Sequence, residues 1–284
     1  MPNDRAFSAG LADERSARLN PGALHLAIAH AARDAGAAIH QDHRAEDIRP
    51  AGDEAVVSVR GQEVRARHVV VATNGFTHTT VAPFHDYLLP VGSFAILTGP
   101  LDERIRLGAL GRGRCHATSY RVPHYVRVTE GRRLLFGGRA SLTTQADIEA
   151  CGRWLLGRAQ RIFPDLGLTR AEACWGGRLG FTPDKRPLLG QLSGQVLYAM
   201  GCAGHGVPTS LAMARDIADT ILRRPLGDRA PFWRSPGEPP QRVSGLLRRG
   251  LPVAQIGLRC LDTGDRLRDA LPGRVGPPHD GAAA

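Results

Sequence analysis

The 284 residues suffice for one large domain or two modest ones around a real core, and 42% hydrophobic with 23% charged side chains is ordinary for a globular chain. No apolar run reaches the roughly 18 residues of a membrane span, no apolar segment of signal-peptide type follows Met1-Pro2-Asn3-Asp4-Arg5, and the five cysteines form no CxxC pair, so a cytoplasmic protein with reduced thiols and no metal site is expected. The net charge of +10 rests almost wholly on scattered arginine, with Lys185 the sole lysine and no interleaved aromatics, a pattern of GC-rich codon usage rather than of a nucleic-acid surface.

Asn20-Pro21 supplies a cap and a first-turn proline, and Leu24, Ile28 and Ala31 recur at helical spacing until Gly36. Ala37–Gln41 reads as a short strand after that helix. Ala55–Arg60 and Glu63–Arg67 alternate around Gly61-Gln62 and predict a β-hairpin. The apolar run His68–Thr73, bounded by Asn74-Gly75, predicts a parallel strand covered on both faces. From Leu88 to Gly138 the texture is strand and turn, with Gly92–Leu97, Tyr120–Val128 and Arg133–Gly137 as extended candidates in an antiparallel sheet. Ile148–Phe163 has helical spacing and stops at Pro164. Gln195–Met200 is a short strand running into Gly201-Cys202-Ala203-Gly204-His205-Gly206, and a periodic helix, Thr209 to Leu222, follows. Beyond Arg224 the chain is rich in Pro, Gly and Arg, with weak helical patches at Val243–Leu247 and Ile256–Leu261 and a tail after Pro272 expected to be disordered.

A glycine-rich strand-to-helix turn is by itself common packing. Here it follows Trp175-Gly176-Gly177-Arg178-Leu179-Gly180-Phe181-Thr182-Pro183-Asp184-Lys185-Arg186-Pro187-Leu188-Leu189-Gly190. Together the two blocks resemble the W-G…T-P-D-x-x-P-x-x-G…G-x-x-G-H-G signature of the D-amino-acid-oxidase superfamily, the FAD-dependent glycine, sarcosine and polyamine-derivative oxidases, and within it the γ-glutamylputrescine oxidoreductase-like branch. The resemblance covers about residues 10–225.

It implies an α/β fold in which a partial Rossmann-like FAD-binding lobe is interleaved with an antiparallel-sheet substrate lobe (α+β). The expected division is residues 1–80 for the partial FAD lobe, 81–174 for the substrate lobe, 175–224 for the return to the FAD lobe and 225–284 for an Arg/Pro-rich extension. The resemblance places Arg44 and Ala45 beside the adenine, Ala72, Thr73 and Asn74 near the pyrophosphate, and Gly201, Gly204, His205, Gly206 and Val207 beside the flavin. His205 is the catalytic candidate, with helix capping as its alternative role; Asp184 is expected to order the Thr-Pro-Asp turn; His40 and His43 are expected to be solvated. Arg121, Tyr125 and Arg139 are substrate-lobe candidates, against the plainer reading of solvated strand residues. Backbone amides at Gly204–Val207 would stabilise negative charge developing on a reduced flavin.

The chain departs from the pattern in three ways. No Gly-x-Gly-x-x-Gly finger opens it, which sets the expectation of a truncated fold with an exposed sheet edge, open to a partner or self-association, and weak FAD binding by these residues alone. No lysine follows the Gly-His-Gly turn where sarcosine oxidases hold a substrate carboxylate. Gly177 stands where the flavin-tethering cysteine of those enzymes falls, with Cys174 displaced, so noncovalent FAD is expected. The reading is FAD-dependent oxidation of a small-molecule amine or amino-acid-like C–N bond to an imine, with electrons passing to oxygen or another acceptor. Two alternatives stand beside it: an inactive remnant that binds no FAD, and an Arg-rich binder of nucleic acid or anionic surfaces.

Overall fold

The computed structural model describes residues 7, 9–79, 84–120, 123–139, 146–226, 232–235, 238, 240–243 and 245. The patch Ile256–Leu261, the tail after Pro272 and Arg121 lie outside these residues. Among the described residues no helix is long and apolar enough to cross a membrane.

Helix α1 (Pro21–Asp34) starts as its sequence dictates, with the Asn20 carboxamide oxygen accepting the N–H groups of Gly22 and Ala23 at 3.0 and 3.2 Å. It ends at Asp34, and Gly36 turns the chain away just after it with a φ of +90° that glycine adopts freely. None of its residues is buried; Leu26 and Ile28 face solvent. Ala37–Gln41 forms no strand, contrary to the sequence pattern. A strand exists by its ladder, and among the described residues no neighbour pairs with this segment.

Strands β1 (Ala45–Ala51), β2 (Glu54–Val59) and β3 (Gln62–Ala66) make a small antiparallel sheet. The expected hairpin is present, turning on Arg60-Gly61, both at positive φ as the strand twist requires.

A second sheet has the order β12-β10-β11-β4, formed by β4 (Val69–Val71), β10 (Leu188–Gln191), β11 (Val196–Met200) and β12 (Trp233–Arg234). β11 runs parallel to β4 and antiparallel to β10. Helix α3 (Gly206–Ile221) covers one face by packing Met213 and Ile217 with Leu189, Leu197 and Cys202. On the other face Val71, Tyr198 and Met200 share a core with Phe84, Leu88 and Ala55, the last from the small sheet. β4 is the edge strand, and Val70 is 41% exposed, so the run at 68–73 is covered on one face rather than two.

The third sheet is antiparallel with order β6-β7-β8-β5-β9: β5 (Leu89–Pro100), β6 (His116–Ala117), β7 (Tyr125–Val128), β8 (Arg133–Gly138) and β9 (Ala171–Phe181). Helix α2 (Ile148–Ile162), capped by the Asp147 carboxylate on the Glu149 and Ala150 N–H groups, lays Leu155, Ala159 and Ile162 on Phe94, Ile96, Leu134 and Phe136. Residues 175–181 remain in this sheet as part of β9, past the boundary expected at residue 175.

Candidate active site

Parallel strands β4 and β11 end side by side, and the chain leaves each through a tight turn. Such carboxyl ends are where open α/β sheets hold ligands. After β4, Asn74 takes a left-handed φ of +44° and its side-chain oxygen accepts the N–H of Gly201 at 3.0 Å. The Thr77 hydroxyl donates to the Asn74 carbonyl at 2.7 Å and lies 2.6 Å from the Thr73 hydroxyl, so the turn is internally bonded.

After β11, Gly201 (φ +75°) and Gly204 (φ +94°) bend the chain into α3. A Cβ on Gly201 would lie 3.0 Å from Thr182 Cγ2, so any other residue there would have to push that methyl aside as well as adopt a positive φ. The Ala203 N–H donates to the Gly180 carbonyl at 3.0 Å, which fixes the turn against the end of β9. Cys202 is buried beneath it, and burial pushes its thiol above the ordinary range.

Helix α3 begins immediately at Gly206, earlier than its sequence periodicity indicates. No side chain caps it and no acidic residue stands in its first turn. The first N–H groups of a helix lack intrahelical partners and carry the positive end of the macrodipole. Pro208 has no N–H, so the amides of Gly206 and Val207 are the donors at this end. His205 is exposed and makes no capping bond, which removes the alternative given for it; its carbonyl accepts the Thr209 hydroxyl at 2.7 Å.

The Thr-Pro-Asp turn is structural in its bonding. Thr182 donates to the Arg186 carbonyl at 2.8 Å, and Asp184 accepts the Arg186 N–H at 3.1 Å and lies 3.6 Å from Arg234. Thus Ala72–Asn74 and Gly201–Val207 converge. Arg44 and Ala45 stand at the start of β1 in the small sheet, joined to this region through the core that Ile48 shares with Val71. Tyr125 is exposed on β7, and the Arg139 guanidinium lies 4.9 Å from the centre of the Phe181 ring. Among the described residues no group of three or more His, Cys, Asp or Glu is placed to hold a metal.

Two features escaped the sequence pattern. Asn74 braces two strand ends 127 positions apart, and only an Asn-Gly pair at a strand end hints at it. Trp175 and Gly177 face away from α2. Their neighbour Gly176 faces the helix, since a Cβ there would meet Phe94 and Ile148. Among the described residues, a Cβ on Gly177 would meet nothing within 4 Å.

A family model described as FAD dependent oxidoreductase (DAO) matches residues 1–220. Gamma-glutamylputrescine oxidoreductase of Escherichia coli K12 is 26% identical over 268 residues, covering 94% of this chain and 61% of that protein. A probable oxidoreductase OrdL of Haemophilus influenzae is 27% identical over 220 residues, 76% of this chain and 50% of that one. Glycine oxidase from Geobacillus kaustophilus superposes with a TM-score of 0.61 at 26% identity, over 74% of this chain and 56% of that chain. L-amino acid deaminase from Proteus vulgaris, at 17% identity and a TM-score of 0.54, shares the fold. The chain spans about half the length of the curated relatives it matches.

Proposed function

This chain belongs to the DAO family of FAD-dependent oxidoreductases, whose cofactor is FAD, and on that footing we propose that it takes part in oxidising an elongated amine at the turn between β11 and α3. The observation that carries the reading is the start of α3, behind Gly204, which no side chain caps among the described residues and whose Gly206 and Val207 amides lack intrahelical acceptors, beside a turn braced from β4 and β9. The residues fit a planar ring: Gly204 presents no Cβ, and the space above Gly177 is open among the described residues. Bound there, FAD would supply a two-electron acceptor for the oxidation of an amine C–N bond to an imine, which water would hydrolyse.

The chain's own contribution is electrostatic and positional. Gly206 and Val207 donate hydrogen bonds toward charge that develops on the ring, and fixed donors of this kind need no reorganisation during reaction. Asn74 holds the turn in place, and His205 borders it on the solvent side. No cation stands in the first turn of α3, where Pro208, Thr209 and Ser210 are neutral, so an α-carboxylate finds no ionic partner there. This favours an amine such as a γ-glutamylated diamine over glycine or sarcosine, in line with the name of one relative.

The test is flavin fluorescence quenching on the full chain, with amine oxidation assayed alongside. Saturable FAD binding, weakened about tenfold or more by Gly204→Val through strain at φ +94° and intrusion of the side chain, is expected. Binding that Gly204→Val leaves unchanged would refute this placement.

A further inference from the structure

A cleft of about 520 Å3 opens to solvent at the far end of the antiparallel sheet. Strands β5 and β9 pair from Leu89 with Phe181, beside the glycine turn, to Thr98 with Ala171 at the other end. Between these pairs β5 advances roughly 30 Å, so the cleft is distinct from the candidate active site. Its floor is apolar, with Leu101, Leu166 and Leu168 buried and Ile105 packed against the same core. The volume lies within the range of small-molecule sites.

Both walls are tied down. Along residues 101–105, Arg132 donates to the carbonyls of Leu101, Asp102 and Ile105 at 3.4, 2.8 and 3.1 Å. Along residues 166–170 the chain bends at Gly167, with φ at +58°, and the Leu168 carbonyl accepts the Gln160 side-chain N–H at 2.9 Å. Walls already bonded lose little freedom when the cleft fills. The charges are sorted as well. Asp102 is taken up by Arg104, through Nε at 3.0 Å and Nη2 at 2.6 Å. Glu172 stands over Gly99, where a Cβ would lie 3.1 Å from its Oε1, and is shared by Arg133 and Arg170. Arg170 gives it one bond, from Nη2 at 3.1 Å, and among the described residues its Nε and Nη1 have no acceptor. Of the charged groups that line the cleft, Arg104 and Arg170 face a single carboxylate, Asp102, while Glu103, Arg106 and Asp165 flank the walls without lining it.

We propose that this cleft binds a small monocarboxylate with an apolar body, the hydrocarbon against Leu101, Leu166 and Leu168 and the carboxylate bonded by Arg170. The hydrocarbon gains by leaving water at the leucine floor. The spare N–H groups of Arg170 offer charge-assisted bonds to the carboxylate, and Thr169 adds a hydroxyl to the same wall. A single negative charge matches the one guanidinium in excess, whereas a polyanion would also meet Asp102 and Glu172. An ammonium-ended body would meet like charge at Arg170. This assignment goes beyond amine oxidation, since a ligand at this end of the sheet takes no part in chemistry at the glycine turn.

The probe is 4-phenylbutyrate, titrated calorimetrically into the full chain beside 4-phenylbutyramide, which keeps the body and removes the charge. One saturable site per chain is expected for the acid. The amide is expected to bind about fivefold more weakly, with added salt narrowing the gap because exposed charges are screened. Arg170→Gln leaves Glu172 its bond with Arg133, and it is expected to bring the Kd of the acid to that of the amide. Thr169→Trp, at an exposed position on the lining, fills the cleft and is expected to weaken acid and amide alike about tenfold. Both variants are expected to keep the melting temperature and the flavin uptake of the parent. Absence of saturable heat, equal affinity for acid and amide, or an acid Kd that either variant leaves unchanged would overturn the site. The expected binding pattern in a chain that takes up no flavin would uphold the cleft and count against the amine-oxidation reading alone.

Discussion

Replacing Asn74 tests the brace on which the candidate site depends. In Asn74→Ala two costs add. The N–H of the buried Gly201, bonded at 3.0 Å in the native chain, loses its acceptor, which costs about 1–3 kcal/mol for an orphaned donor. An alanine at φ +44° also carries the left-handed penalty of about 1–2 kcal/mol, which asparagine tolerates better. The sum is about 2–5 kcal/mol. Asn74→Gly removes the strain and keeps the orphan, so it is expected to lose about 1–3 kcal/mol. Asn74→Asp retains an oxygen at the same place and is expected to stay within about 1 kcal/mol of the parent. Urea midpoints at constant m-value separate the three, since an unchanged slope shows that the folded and unfolded ensembles keep their exposed surface. An alanine variant within about 0.5 kcal/mol of the parent, or an aspartate as damaging as alanine, would refute the brace.

Leu155→Ala opens a cavity in the fully buried centre of the α2 core and is expected to cost about 2–5 kcal/mol by urea denaturation. The Arg133 guanidinium holds the Glu172 carboxyl below its ordinary value of 4.5, so its stabilisation is present above that pH and lost as pH falls through the lower folded value; Glu172→Gln is expected to flatten the acid limb of stability against pH. Burial pushes the Tyr198 hydroxyl from 10.0 up to about 12, so its contribution is intact below pH 10 and lost between there and 12, on the order of 3 kcal/mol, and Tyr198→Phe is expected to remove that part of the alkaline loss. Flavin taken up by the chain is expected to leave on denaturation, because Gly177 offers no thiol; fluorescence retained on a denaturing gel would contradict this.

Local signals were readable where local physics decides. Asn20-Pro21 begins α1 because the cap and the proline act within one turn, and Arg60-Gly61 closes its hairpin through backbone twist alone. Ala37–Gln41 has strand composition, but it has no partner among the described residues, and composition does not report partners. The Trp-Gly-Gly block has too many glycines to announce a strand. It is one nevertheless, because its register with β5 requires Gly176 to clear the Phe94 ring. The start of α3 was displaced for a related reason: the Gly-His-Gly turn shows no apolar periodicity, yet Gly206 and Val207 already have helical geometry. β12, contributed from the Arg/Pro-rich extension, pairs by backbone bonds with β10 and left no mark in hydrophobic pattern.

The Trp-Gly…Thr-Pro-Asp…Gly-His-Gly signature is specific because it spells out the junction of two sheets. β9 ends the antiparallel sheet at Phe181, the Thr-Pro-Asp turn reverses the chain, β10 and β11 cross the second sheet, and the glycine turn returns to the end of β9 through the Ala203–Gly180 bond. Gly180 itself admits no side chain, since a Cβ would stand 2.5 Å from Asn74 Oδ1 and 3.3 Å from the Asn74 carbonyl carbon. Three segments distant in sequence, the ends of β4, β9 and β11, thus meet at one point with glycine or asparagine at each contact. The α3 amides inherit their position from that meeting rather than from α3. A methyl group at Gly180 would stand against Asn74 Oδ1, the atom that accepts the Gly201 N–H, and so is expected to disturb the brace directly.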